Sequence, residues 1–120
     1  MTEITLPWPP KELSPNARIH WARLSKIKKK YRLDCWAITK ESKPEQLPAA
    51  GNLRLELDFY RPQRRAMDRD NLLARMKAGL DGVADALGIN DARFEPILTS
   101  VRDEVGGYVT IRIFTTEETT

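Results

Sequence analysis

Hydrophobic residues alternate with polar ones most clearly in LRLELDFY, where Leu53, Leu55, Leu57 and Phe59 take one side and Arg54, Glu56, Asp58 and Tyr60 the other. A period of two places these sets on opposite faces of a pleated ribbon, so the run predicts a half-buried strand. Ile4 and Leu6 begin a similar pattern that stops at Pro7, Pro9 and Pro10, which have no N–H to give to a ladder, and a short strand is expected to end there. Residues 11–18 are rich in turn formers. They place Asn16, Arg18 and His20 on a loop that runs into a helix.

From about 20 to 41 neither Pro nor Gly intervenes, and Trp21, Leu24, Ile27, Tyr31, Cys35 and Ile38 recur at steps of three and four. That spacing predicts a long amphipathic helix with these six residues facing inward, Trp21 and Trp36 both being expected in the core. After a Pro/Ala/Gly linker at about 42–51, the strand above and a basic loop, DRDNLLARMKAGLDGVADALG reads as a second helix. Its apolar stripe is Leu73, Met76, Leu80, Val83 and Leu87, with Gly88 as a C-terminal cap. Strands at about 94–102 and 108–114, joined by a turn at Gly106 and Gly107, complete the pattern, and the tail TTEETT is expected to fray. These elements predict an α+β fold, a mixed or antiparallel sheet packed on two helices. At 120 residues there is room for one domain, taken as 1–120.

Charge changes this picture more than composition does. Residues 1–50 hold ten Lys and Arg against five Asp and Glu, whereas residues 71–120 hold five against eight. The surplus is concentrated on the first helix, where Lys26, Lys28, Lys29 and Lys30 form a cationic ridge with Arg23 and Arg32 beside it. Such a ridge is either a solvated face or a grip on phosphates. One cysteine, Cys35, and one histidine, His20, exclude an internal disulfide and a Cys/His zinc centre. MTEITLPWPP lacks a basic segment followed by an apolar run, and no stretch of about 18 apolar residues occurs, so a soluble, intracellular protein without membrane contact is expected.

The chemistry-bearing residues gather around the second helix. Asp68 and Asp70 flank its start; either one seen alone would be read as an N-cap, but two acids one residue apart among Arg64, Arg65 and Arg69 also suit a hard cation, which takes one or two carboxylates together with substrate phosphate and water. At 100° per residue Asp70, Ala74, Lys77 and Asp81 share a stripe about 60° wide, so Lys77 either borders this site or pairs with Asp81. Asp91, in GINDARF, is a turn former or a further acid of the same site. His20 beside Trp21 is a packing residue or a contact to phosphate or base, and the tryptophans could also stack on exposed bases.

These segments, from LPWPP and SPNARIHW through DRDNLLARMKAGLDGVADALGIND, resemble the RusA family of Holliday-junction resolvases, most of all its phage and prophage versions. The specific part is an Asp, any residue, Asp, Asn, Leu run opening a helix, followed by a Lys and by an acidic pair after the helix. The resemblance implies a homodimeric, magnesium-dependent endonuclease, with manganese as an alternative ion, that resolves four-way DNA junctions during recombination and repair in the cytoplasm of a bacterial host. It implies catalytic roles for Asp68, Asp70, Asp91 and Lys77, the three aspartates as metal ligands. Arg18, His20, Lys26, Lys28, Lys29, Lys30, Arg64, Arg65 and Arg69 would then touch DNA. The sequence departs from the family pattern twice: LLARMK puts Lys77 about one turn further along than the family lysine, and Asn90 replaces the first acid of the pair. The rival reading is a non-catalytic DNA- or RNA-binding protein whose acids cap helices and turns; a protein-interaction module is a third.

Overall fold

A computed structural model describes residues 1–116; the tail expected to fray therefore lies largely outside the described residues. Strand β1 (Thr2–Pro7) leads through a single 3-10 turn (Lys11–Leu13) to helix α1 (Trp21–Glu41). Then come β2 (Leu53–Tyr60), α2 (Arg69–Leu87), a second 3-10 turn (Asp91–Arg93), β3 (Phe94–Arg102) and β4 (Tyr108–Phe114). The sheet is mixed, in the order β1-β4-β2-β3, with both helices on one face, so the expected α+β class holds.

The alternation in β2 is obeyed. Leu53, Leu55, Leu57 and Phe59 are buried, and beside them lie Ile4 and Leu6 from β1 and Val109, Ile111 and Ile113 from β4. Onto this surface α2 lays Leu72, Met76, Leu80 and Val83, and α1 lays Tyr31 and Cys35, closing one core. On the opposite face Arg112 Nη1 bonds Asp58 Oδ2 at 2.8 Å while its Nη2 meets Glu56 Oε1 at 3.1 Å, which supplies a partner for a carboxylate only 5% exposed.

One expectation about α1 is corrected, and the last two strands, though consecutive, are not neighbours in the sheet. β3 runs parallel to β2 at the sheet edge, and β4 lies on the other side of β2, antiparallel to it. Gly106 and Gly107 instead hook onto the end of β2, their N–H groups donating to the carbonyls of Arg61 and Tyr60. The buried face of α1 is also displaced from the expected stripe. It is centred on Tyr31, Cys35 and Thr39, leaving Leu24, Ile27 and Ile38 half-buried and Trp21 76% exposed. Trp36 lies about 100° around the helix from Cys35 and is exposed as well. Trp21 falls on the stripe by angle, but at the first turn of α1 it has the His20 ring beside it, 5.6 Å between centroids, rather than the core.

The proline-rich segment after β1 is fastened to both helices. Tyr31 Oη donates to the Pro7 carbonyl at 2.6 Å and touches Met76 Sδ at 3.3 Å, and burial pushes its phenol well above the ordinary range. Tyr31→Phe is expected to cost about 1 kcal/mol, seen as a fall of roughly 4 °C in thermal midpoint, because the Pro7 carbonyl loses its donor while the ring packing stays. An unchanged midpoint would show that this bond contributes nothing net.

Candidate active site

Helix α2 starts at a capped end. Asp68 has extended backbone angles, φ −74° and ψ 126°, and its Oδ1 accepts the Asp70 N–H at 2.8 Å, satisfying one of the donors that the first turn leaves open. Either aspartate could have capped α2 by sequence; the structure gives the role to Asp68. Asp70, exposed in the first turn, is free of that duty and lies where the helix dipole favours a negative charge. Asn71 Nδ2 donates to Ser14 Oγ at 2.9 Å, tying this end of the helix to the loop after β1. Arg64, Arg65 and Arg69 are exposed around the two acids, and Arg61 Nη1 steadies the loop by donating to the Arg65 carbonyl at 2.8 Å.

Along the flank of α2, Ala74, Lys77 and Asp81 border a groove of about 240 Å³, closed on its other side by Asp91, Phe94 and Ile97, while Asp70, on the same helical stripe, lies outside it. Asp91 opens the 3-10 turn that brings the chain back toward α2. Its Oδ2 stands 3.8 Å from Lys77 Nζ, and it lines the groove together with Asp81. Lys77 therefore pairs with Asp91 rather than with its helical neighbour Asp81. Partial burial, then the neighbouring Asp91 carboxyl, raises the Asp81 pKa against the pull of Lys77 and Arg32. Beyond them Arg32 Nε and Nη2 grip Asp85 at 2.6 and 3.0 Å, holding that carboxyl below its ordinary pKa. Asn90 spends its Oδ1 on the Ala92 N–H at 2.9 Å.

The three aspartates named as ligands are thus distributed, not gathered. Asp68 and Asp70 stand at the start of α2, while Asp91 lies in the groove with Asp81, which follows Asp70 by eleven residues, about 16 Å of helix. Among the described residues no group of three or more His, Cys, Asp or Glu side chains is placed to hold one metal ion. A two-carboxylate site at Asp68 and Asp70 remains compatible with a hard cation that draws its other ligands from water and phosphate.

The cationic residues read from the sequence are on the surface. Lys26, Lys28 and Lys29 are exposed, Lys30 Nζ donates to Asp34 Oδ2 at 2.8 Å, and Arg18 lies on the loop before α1. His20 is the N-cap of α1, its Nδ1 accepting from the Ala22 N–H at 3.3 Å. Two arginines have roles that the sequence pattern does not announce: Arg32, which engages Asp85, and Arg75, which is buried between Trp8 and the Pro9 carbonyl. A faint signal exists for Arg75, since it lies one turn from Asn71 inside an otherwise apolar surface of α2. None of the helices among the described residues is long and apolar enough to cross a membrane.

No protein-family model matches the sequence. The chain is 46% identical over 119 residues to a protein of Xylella fastidiosa strain Temecula1 described as an uncharacterized protein, the alignment taking in 94% of this chain and 76% of the other. At that identity and coverage, this chain belongs to the same family as the Xylella fastidiosa protein.

Proposed function

We propose that this protein is a magnesium-dependent endonuclease of the RusA type that cuts four-way DNA junctions as a homodimer, each subunit contributing one site for paired cuts. A phage or prophage gene acting in the bacterial cytoplasm accords with that reading. The observation that carries it is the Asp68/Asp70 pair, exposed side by side at a helix start within a basic surround and embedded in the Asp-x-Asp-Asn-Leu run. Asp68 Oδ2 and the Asp70 carboxylate would hold magnesium, with manganese as the alternative ion. Magnesium when bound would polarise the phosphate and lower the pKa of the attacking water. Asp91 keeps Lys77 in the groove, and Lys77 offsets negative charge on the phosphate as it is cut. The exposed lysines of α1 with Arg18, Arg64, Arg65 and Arg69 supply a grip on the backbone that is independent of base sequence. His20 borders that surface while capping α1.

The test is to incubate the purified protein with a labelled four-way junction and with matched duplex, each with and without magnesium. Paired nicks near the branch point, on the junction alone and only with the ion, are expected; an intact junction overturns the assignment. Lys77→Met is expected to slow cutting about 10²-fold with junction affinity near the parent value, since the ammonium acts on charge that develops during the reaction. Equal cutting rates would return Lys77 to an exposed ion pair with Asp91.

One observation favours a second reading, a non-catalytic nucleic-acid binder: Asp68 and Asn90 both spend side-chain oxygens on caps. Such a protein would bind the junction and neither cut with magnesium nor need it.

A further inference from the structure

A pocket of about 550 Å³ opens between the proline-rich segment after β1 and the loop at 61–67, with the first turns of α2 as its floor. Its polar lining is Lys11, Ser14, Arg65, Asn71 and Arg75, with Trp8 as the aromatic wall; among the described residues three cations border it and no carboxylate does. The volume is that of a small-molecule site.

Arg75 is its unusual member. It is 8% exposed, its guanidinium lies 5.8 Å from the centre of the Trp8 ring, and Nη2 donates to the Pro9 carbonyl at 2.7 Å. Its Nε–H is buried without a hydrogen-bond partner, and no carboxylate among the described residues forms an ion pair with it. Burial lowers its pKa, the expected response of a charge withdrawn from water. A guanidinium left in this condition is costly unless an anion completes its surroundings. Lys11 and Arg65 add charge at the rim, while Asn71, bonded to Ser14, sets two polar side chains beside them. A group with several acceptor oxygens and full negative charge suits this donor set, and phosphate is the commonest such group that arginine recognises.

We propose that this pocket binds a phosphate group of a nucleic-acid strand, seated beside Asn71 and so next to Asp70. The pocket's demand for a phosphate comes from its own residues; the attribution to nucleic acid rests on the function proposed above. A strand anchored here would leave its next linkage at the start of α2, where Asp68 and Asp70 lie.

The test measures binding of a short fluorescent single-stranded oligothymidine in EDTA over a range of salt. The parent is compared with Lys11→Gln/Arg65→Gln, with Arg75→Lys, and with Lys40→Gln/Lys43→Gln, which removes the same charge near the C-terminal end of α1. Loss of two phosphate contacts should weaken binding about tenfold and flatten the log–log salt slope by about 1.4 in the pocket double variant, with little change in the Lys40/Lys43 variant. Equal affinity of parent and pocket variant, or an equal loss in both double variants, overturns the pocket. Arg75→Lys keeps the charge but not the planar fork and should also bind more weakly; should it fail to fold, the rim variant still decides. Inorganic phosphate and thymidine dinucleotide are run as competitors, and equal potency of the two overturns the nucleic-acid attribution. Junction cutting by the parent in magnesium is scored in parallel: no cutting with a pocket-dependent oligothymidine affinity sinks the nuclease reading and keeps the pocket, whereas cutting with no pocket effect does the reverse.

Discussion

Asp68→Asn and Asp70→Asn should each abolish magnesium-dependent cutting of the junction while leaving the protein folded to within roughly 1 kcal/mol of the parent. The stability half of this expectation follows from the cap. Asp68 Oδ1 accepts the Asp70 N–H, and an Asn at the same place offers an amide oxygen that caps about as well. Asp68→Ala removes the acceptor and should cost about 1 kcal/mol more, which separates capping from chemistry at one position. The activity half follows from ligand chemistry, because a neutral amide in place of a charged carboxylate oxygen is a poor exchange for a hard cation. Binding in EDTA should survive and tighten, since each change removes a negative charge from the neighbourhood of DNA phosphates. Asp91→Asn belongs in the same series but tests something different. It removes the ion pair to Lys77 and a negative charge from beside Asp81, so folding should be unimpaired and any loss of cutting would trace to the groove. Junction cutting at the parental rate by all three folded Asn variants would refute the nuclease roles of these residues and make the binding-protein account the better one.

Gly82→Ala should produce a large loss of stability for a single conservative change, about 3 kcal/mol, or a fall of roughly 12 °C in thermal midpoint. A Cβ at Gly82 would run into the backbone carbonyl oxygen of Arg32, with the Arg32 carbonyl carbon at 3.0 Å and the Trp36 nitrogen at 3.2 Å. Backbone cannot rotate away as a side-chain tip can, so the helices must separate and the Tyr31, Cys35 and Met76 packing must loosen with them. Ala is favoured over Gly inside an isolated helix by about 1 kcal/mol, so the sign of the measured change reports which effect dominates. Gly88 is the contrast: it ends α2 at φ +68°, where an added Cβ would meet nothing within 4 Å, and Gly88→Ala should cost only about 1 kcal/mol of left-handed strain. Denaturant midpoints of the two variants side by side provide the check, and a Gly82→Ala protein as stable as the parent would mean that α1 and α2 are not in backbone contact.

What the residues determine by themselves is local. The period of two over Leu53–Tyr60 settled which side of β2 is buried, and the three-and-four spacing with Gly88 behind it settled the course of α2, because such patterns are set by the geometry of one element. The same geometry put Asp70, Lys77 and Asp81 on one stripe and Asp68 at a helix start. Which element becomes the neighbour of which is not written in a period. Gly106 and Gly107 marked a turn between the last two strands, yet β2 lies between β3 and β4, since strand order depends on how distant segments close around a shared core. Trp21 and Trp36 looked like core residues by their chemistry, but only the crossing of α1 over Gly79 and Gly82 decided that Tyr31, Cys35 and Thr39 would occupy that place. Asp91 met Lys77 and came beside Asp81 through a reversal of the chain after α2, and Arg75 came to lie under Trp8 without a carboxylate partner among the described residues because β1 and its prolines fold back across α2. Charges and glycines acquire such roles only from groups remote in sequence, and the packing that brings those groups together is a property of the whole fold.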